Sequence, residues 1–315
     1  MTHPKQSPGL RGIPARPIHE RQLDDDMIKL QRAASASHRR GQVTDAVRNA
    51  AAIVLAAVGL VVTATGHGRV LTAILGAGWF AVSFFLLRKM MSSTAKQGAL
   101  LQEQLDTALF QLPWRQAVAG DPVADHDVGR LARKLPVGGE RDQRITDGWY
   151  DPTTGVHYPY DVLICQGQNL AWDARLRRGY GTWIAAAAIV WTLLGLLVAL
   201  LVGATIPEAL LSFYVPSLAA LQLSAEIWIG QNRVADERER LAKIVQAELR
   251  DAQPGPVPDS DRARLCEVAR DIQDGIFRTR LDVARVPHWL YRLHRNNDEA
   301  DFGDTAEGHR RRLAG

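Results

Sequence analysis

The chain has 315 residues, with 38 Lys and Arg against 34 Asp and Glu, giving a formal charge of +4. Its two cysteines cannot form a disulfide framework. A charge of this size, spread over the whole chain, does not indicate binding to a DNA or RNA polymer. The mean hydropathy of -0.13 is typical of a soluble protein, but it averages charge-free apolar stretches with strongly charged ones. The local pattern therefore predicts a membrane protein.

The amino-terminal part divides into two segments. Residues 1–18 are rich in Pro, Gly and Arg, which predicts a disordered tail. Residues 19–48 carry apolar side chains at helical spacing, with aspartates at 24–26 and the arginines Arg39 and Arg40 near the end. This order complements a helix dipole and predicts an amphipathic helix on the cytosolic side. An alternative is that the helix lies on the membrane surface.

Four stretches contain no Lys or Arg and predict transmembrane spans, at 49–65, 70–87, 181–203 and 209–229. The third rises about 34 Å as a helix, which exceeds the hydrocarbon thickness of about 30 Å. The fourth contains Pro216 and is the least apolar. Short connections join the spans in pairs, so each pair forms a helical hairpin. A helical hairpin suits a bilayer, because lipid requires every backbone hydrogen bond to be made within helices.

The fold class predicted from these spans is an all-α membrane protein with two transmembrane hairpins, at 49–87 and 181–229. Of the 38 Lys and Arg, only Arg69 lies between the two spans of a hairpin. By the positive-inside rule, both termini and the middle region at 88–180 face the cytoplasm.

The carboxyl-terminal cytosolic region, at 230–297, predicts two helices separated by the Pro-rich sequence at 254–258. Residues 237–240 alternate in charge, as on a solvated helix face. The tail at 298–315 is predicted to be disordered. Apolar stripes are expected on the two helices, at Leu241, Val245 and Leu249 and at Leu265, Val268, Ile272 and Ile276.

Several short motifs, set among two early and two late spans, together resemble a known family. They are Leu112-Pro113-Trp114, Trp149-Tyr150, Cys165-Gln166 with Asn169, Trp172-Asp173, Leu176-Arg177, and Val286-Pro287 with Trp289, Tyr291 and Arg292. Their order over residues 23–295 resembles the S-4TM family of effectors, to which pore formation is ascribed. The family pattern places an Arg after Cys-Gln, where this chain has Gly167.

The resemblance implies an effector of CBASS, the cyclic-oligonucleotide antiphage systems, linked to a nucleotidyltransferase of the SMODS class. It implies a homo-oligomer in the bacterial inner membrane that opens pores or disrupts the bilayer when a cyclic oligonucleotide binds its cytosolic part. One alternative is a membrane-anchored sensor or scaffold without pore activity. A second, weaker alternative is a small transporter.

Such a ligand needs cations for its phosphates and flat side chains for its bases. The candidates in the middle region are Arg130, Arg133, Lys134, Trp149, Tyr150, Asn169, Trp172, Asp173 and Arg175. Alternatively, the aromatic residues belong to the core, and Arg175 orients the third span against anionic lipid. The polar set on the helix at 169–173 could equally join the middle region to the last one.

Two further sets lie in the predicted spans. Small residues recur every four positions on the third span and predict a helix-packing ridge: Gly195, Ala199 and Gly203. Polar residues on the fourth span are candidates to line a pore: Ser217, Gln222, Ser224 and Glu226. A carboxylate at membrane depth indicates function, unless Glu226 is simply hydrated at the level of the headgroups.

Signatures of zinc proteases, P-loop NTPases, thiol oxidoreductases and serine hydrolases do not occur in the sequence. We therefore expect no enzymatic activity, no cofactor and no bound metal.

Overall fold

A computed structural model describes residues 13–65, 67–83, 85, 88–150, 152–282, 286 and 307–313. Helices and turns, and no β-strand, make up these residues. The helices are α1 (Ile18–Arg21), α2 (Asp25–Thr65), α3 (Arg69–Val82), α4 (Arg88–Leu109), α5 (Gln116–Ala119), α6 (Asp125–Ala132), α7 (Glu140–Thr146), α8 (Tyr160–Leu201), α9 (Ile206–Ala209), α10 (Val215–Asp251), α11 (Asp259–Asp282) and a short helix at 307–313. A π-helical turn, Leu210–Tyr214, joins α9 to α10.

Three helices are long and apolar enough to cross a membrane: α2, α8 and the continuous helix Ile206–Asp251. The predicted second span, at 70–87, is not among them. Its described part contains α3, which ends at Val82, and the π-helical residues Ser83 and Phe85. Residues 84, 86 and 87 lie outside the described part of the chain. The described residues are thus all-helical with three candidate spans, and the prediction of four spans stays open.

The long helices connect two parts of the molecule. The apolar bundle consists of α3, the second halves of α2 and α8, and the first half of the helix containing α9 and α10. The remaining helical segments, including α4 to α7 and α11, form what we call the head. Gly167 faces Val245 and Gly181 faces Trp228, so α8 and α10 run antiparallel through both parts.

Pro216 lies where three helices of the apolar bundle meet. A Cβ atom at Gly59 of α2 would come within 2.9 Å of Pro216, and one at Gly76 of α3 within 2.5 Å. Glycine at both positions therefore lets these helices approach α10 closely. The π-helical turn precedes Pro216, whose missing N–H interrupts the regular hydrogen-bond pattern.

The predicted small-residue ridge on α8 is present at two of its three positions. A Cβ atom at Gly195 would lie 2.0 Å from the Phe213 ring, and Ala199 is buried. However, α8 ends at Leu201, and Gly203 has a φ of 65° in the following turn. Gly203 therefore closes this turn, which a residue with a Cβ atom would strain, and does not belong to the ridge.

The core of the head is built from α4, α8, α10 and α11. Both predicted apolar stripes contribute to it. The helix at 307–313 adds Leu313, which is 2% exposed, within a stretch that we expected to be disordered. Ile18, at the end of the predicted amino-terminal tail, is also buried there.

Within the head, the first half of α2 packs against α4 and α6. Ala33 and Ala34 are buried beside Leu101, Val128 and Leu131. The structure thus favours an amphipathic helix that packs on protein over one that lies on a membrane surface.

Candidate functional site

Four of the predicted ligand residues meet where the loop after α7 contacts α8. The Asn169 side chain accepts a hydrogen bond from Trp149 Nε1 (3.3 Å) and donates one to Tyr150 Oη (2.8 Å). The Trp172 ring meets the Trp149 ring edge to face, with centroids 5.9 Å apart. We call Trp149, Tyr150, Asn169 and Trp172 the aromatic cluster.

Gln22, which the sequence analysis did not select, holds the loop that carries this cluster. Its Oε1 accepts hydrogen bonds from the backbone N–H groups of Trp149 (2.8 Å) and Tyr150 (2.9 Å). Its Nε2 donates to the Tyr150 carbonyl at 3.0 Å. These partners are 127 and 128 positions away in the sequence, so no local pattern indicates the role of Gln22.

The two loop aromatics have different environments. Tyr150 packs against Phe110, with centroids 5.6 Å apart, and burial raises the pKa of its phenol, as does the nearby Asp106 carboxylate. Trp149 is 53% exposed. Tyr150 is therefore a half-buried residue that packs against the core, whereas the indole of Trp149 can be reached from solvent.

Asp173 ties α8 to α10. Its Oδ2 lies 2.5 Å from Arg177 Nε and 2.8 Å from Arg238 Nε, and Arg177 also donates to Gln231 Oε1 at 2.7 Å. Arg238 is only 5% exposed, so the prediction of a solvated face at this position is wrong. The alternation of positive and negative charge at 237–240 is misleading here, because the partner of Arg238 comes from another helix. Asp173 therefore fits the alternative in which the polar set at 169–173 joins the middle region to the carboxyl-terminal one.

A second buried ionic cluster joins α4 to α11. Arg270 donates to Glu103 Oε1 at 2.7 Å and also to Asp274. Gln273 Nε2 donates to Glu103 Oε2 (2.9 Å) and Asp106 Oδ2 (3.0 Å). Burial raises the pKa of Glu103, and the charge of Arg270 opposes that shift. We call these five residues the α4–α11 cluster.

The predicted basic residues of α6 lie on the surface of the head. Arg130, Arg133 and Lys134 are exposed at the end of α6, which packs on α2. Arg130 forms an ion pair with Asp127 at 2.6 Å.

Arg175, the remaining predicted ligand residue, lines a groove between α8 and α10. The groove has a volume of about 880 Å³. It is lined in part by Arg175, Arg178, Trp183, Glu239, Lys243 and Gln246. Because residues 173 and 175 point about 200° apart around a helix, this groove and Asp173 lie on different sides of α8.

Gly167, the position at which the chain departs from the family pattern, faces α10. A Cβ atom there would lie 3.0 Å from Val245 Cγ1. Glycine allows the two helices to approach closely at this level of the head. The motif residues Pro287, Trp289, Tyr291 and Arg292 lie outside the described part of the chain.

The polar residues of the predicted fourth span have distinct environments. Ser217 is fully buried, and its Oγ accepts a hydrogen bond from Trp191 Nε1 at 3.1 Å, so its hydroxyl serves packing within the protomer. Ser224 donates to the Ala220 carbonyl of its own helix at 2.8 Å. Gln222 Nε2 donates to Glu226 Oε1 at 2.9 Å.

Gln222 and Glu226 also share a small crevice with Arg48 of α2 and with Ser83. The crevice thus collects polar side chains from different helices inside the apolar bundle. Among the described residues, no group of three His, Cys, Asp or Glu is placed to hold a metal ion.

Comparison with known proteins identifies the family. A family model described as the SMODS-associating 4TM effector domain matches residues 16–309. A probable CBASS effector molecule of Bacillus cereus (strain VD146) is 22% identical over 292 residues, covering 89% of this chain and 94% of that protein. No solved structure matches. Since the family match spans nearly the whole chain, this protein belongs to the SMODS-associating 4TM effectors.

Proposed function

We propose that this CBASS-associated effector permeabilises the bacterial inner membrane when a cyclic oligonucleotide binds its head. The observation that carries the proposal is the continuity of α2, α8 and the helix Ile206–Asp251, which extend from the head into the apolar bundle. A helix transmits a displacement along its axis because its hydrogen bonds are internal. Movement of the head is thereby coupled to the spans.

The messenger acts by favouring one arrangement of the head. A ligand shifts such an equilibrium only as far as its affinities for the two arrangements differ. The junction of α8 with α10 at Asp173 and Arg238 is the element that it would bias, since these ion pairs lie close to Trp172 along α8.

The exposed indole of Trp149 is the proposed stacking surface for a base of the messenger. Asn169 and Trp172 hold that indole in place. Tyr150 is left out of the contact set, since its ring packs against Phe110 and the core. Arg130, Arg133 and Lys134 are proposed as phosphate contacts, and they lie on exposed surface.

In the bilayer, several protomers would assemble with their termini in the cytoplasm. The Gln222 and Glu226 pair, with Arg48 beside it, supplies the polar surface for a water path in the open assembly. Ser217 is excluded from that surface because its hydroxyl faces Trp191.

Dye release from liposomes tests this proposal. The protein is reconstituted with its head outward, and cyclic di- and trinucleotides are added one at a time. We expect release with one compound, and we expect Trp149→Ala to weaken the response about tenfold, the equivalent of one lost base stack. The matched control is Trp114→Ala, another head tryptophan, whose Nε1 donates to the Gly120 carbonyl.

The alternative, a membrane-anchored sensor or scaffold, predicts a different outcome in the same assay. A compound that binds the reconstituted protein without releasing dye would favour it. Equal responses from the wild type and Trp149→Ala would remove the aromatic cluster from the binding site.

A further inference from the structure

We propose that the groove between α8 and α10 binds the headgroup of an anionic phospholipid. The proposal requires only that α8 crosses a bilayer, and it does not depend on messenger binding or pore formation. It accounts for a groove whose lining includes a predicted ligand residue, Arg175, and no member of the aromatic cluster.

The charge of the groove favours an anion. Its described lining includes the cations Arg175, Arg178 and Lys243 and one carboxylate, Glu239. Arg178 already holds Glu239 at 2.7 Å and Asp236 at 2.8 Å, so it forms a fixed wall of the groove. Arg175 of α8 and Lys243 of α10 add two further positive charges to the lining, and this excess of positive charge suits a phosphate.

The position of the groove along α8 favours a lipid as the source of that phosphate. The charge-free stretch of α8 begins at Gly181, and Arg178 and Arg175 lie about 5 and 9 Å beyond it along the helix axis. A headgroup layer is about 5 to 8 Å thick in each leaflet, and arginine side chains extend to reach it. Trp183, at the apolar end, is 68% exposed, as expected for a ring at a membrane interface.

The floor of the groove provides space that is open towards the apolar bundle. Small side chains form it, at Ala171, Ala174, Gly179, Ala186 and Ala242. A headgroup could therefore sit between the two helices while its acyl chains leave along Trp183 and the exposed apolar surface of α8. Such a lipid would join α8 to α10 on one side, as Asp173 and Arg238 do on another.

Lipid retention during purification tests the assignment. The wild type and the double variant Arg175→Gln/Lys243→Gln are extracted in detergent from membranes holding equal amounts of phosphatidylglycerol and phosphatidylcholine, and bound lipid is measured by native mass spectrometry. We expect the wild type to retain phosphatidylglycerol preferentially, and the double variant to lose that preference about tenfold.

The matched control is Lys29→Gln/Arg240→Gln, which removes the same charge from exposed positions outside the groove. It should keep the wild-type preference. Size-exclusion profiles and melting temperatures in pure phosphatidylcholine establish that each variant is folded.

Two results would overturn the proposal. The first is equal retention of the two lipids by the wild type, and the second is an unchanged preference in the groove variant. If that variant also loses binding of a soluble cyclic dinucleotide, the groove belongs to the messenger. Failure of dye release with lipid preference intact would instead contradict only the proposed function.

Discussion

Arg270 and Glu103 form an ion pair in the interior of the head, and neither side chain reaches solvent. Two charges removed from water are tolerable only if both are paired and their remaining polar atoms are bonded. Gln273 bonds the second carboxylate oxygen of Glu103, and Asp274 also accepts from Nη2 of Arg270, whereas Nε and Nη1 of Arg270 have no hydrogen-bond partner among the described residues. The pair therefore makes the correct position of α11 on α4 a condition for a stable fold.

We expect Arg270→Gln to destabilise the protein by about 3 to 5 kcal/mol, because it leaves a buried carboxylate without its cation. Thermal unfolding in detergent measures the effect. The control is Arg264→Gln on the same helix, whose partner Glu248 belongs to α10 and whose side chain is largely exposed. That loss should cost less than about 1 kcal/mol. Equal costs for the two variants would contradict the assignment of a buried, structural ion pair.

Asp142 gives a pH-dependent contribution to stability. Its Oδ1 lies 2.6 Å from Arg32 Nε, and its Oδ2 accepts a hydrogen bond from Gly138 N–H at 2.8 Å. The hydrogen bond from Arg32, followed by that from Gly138, lowers the pKa of Asp142. A carboxyl group with a lowered pKa stabilises the folded state above its unfolded pKa, about 3.9, and loses that effect as pH falls through the folded pKa.

We therefore expect Asp142→Asn to lower the melting temperature at pH 6, and we expect the difference from wild type to shrink below about pH 4. Unfolding scans of both proteins across this range measure it. A difference that stays constant with pH would show that the Asp142 carboxylate contributes through packing and not through its charge.

At the scale of single helices, hydrophobicity in the sequence predicts much of the fold. A span starting at Gly181 was predicted from the lack of charge, and α8 continues through it to Leu201, two residues short of the predicted end. The difference at the end arises because Gly203 adopts a positive φ. The span predicted at 70–87 stays a prediction, since α3 ends at Val82 and residues 84, 86 and 87 lie outside the described part of the chain.

Local patterns of hydrophobicity and charge do not predict contacts between side chains that are distant in the sequence. Glu103 and Arg270 are 167 positions apart, and each resembles an ordinary charge on a helix surface. In the aromatic cluster, helical spacing in the sequence suggests Asn169 and Trp172. It does not suggest Gln22, which holds the loop that carries the cluster. Burial of Arg238 depends on how α8 and α10 pack, which a local alternation of charge does not report.

The contact between α8 and the π-helical turn gives a test at this scale. We expect Gly195→Ala to destabilise the protein by about 1 to 3 kcal/mol, because its methyl group would overlap the Phe213 ring. Gly179→Ala on the same helix is the control, since a Cβ atom there meets nothing within 4 Å. Phe213→Leu should recover part of the loss in the Gly195→Ala background. Unfolding in detergent measures all three, and a neutral Gly195→Ala variant would contradict the close approach.

At the scale of the whole molecule, the ionic clusters and the long helices form one mechanical connection. The α4–α11 cluster holds α11 on α4, and Asp173 joins α8 to α10. Both α8 and α10 then continue into the apolar bundle. We therefore expect a change in the head to reach the apolar bundle along helices that continue from one part into the other.

This connection predicts that a flexible break in α8 separates binding from leakage. We expect insertion of two glycines after Tyr180 to leave messenger affinity unchanged, because the aromatic cluster lies wholly on the head side of that position. Dye release should fall to the level without messenger, since two glycines weaken the helix and rotate the bundle segment by about 200°. The same insertion after Gly255, in the turn between α10 and α11, is the control and should preserve release. Wild-type leakage from the α8 insertion would mean that the spans respond through α2 or α10 and not through α8.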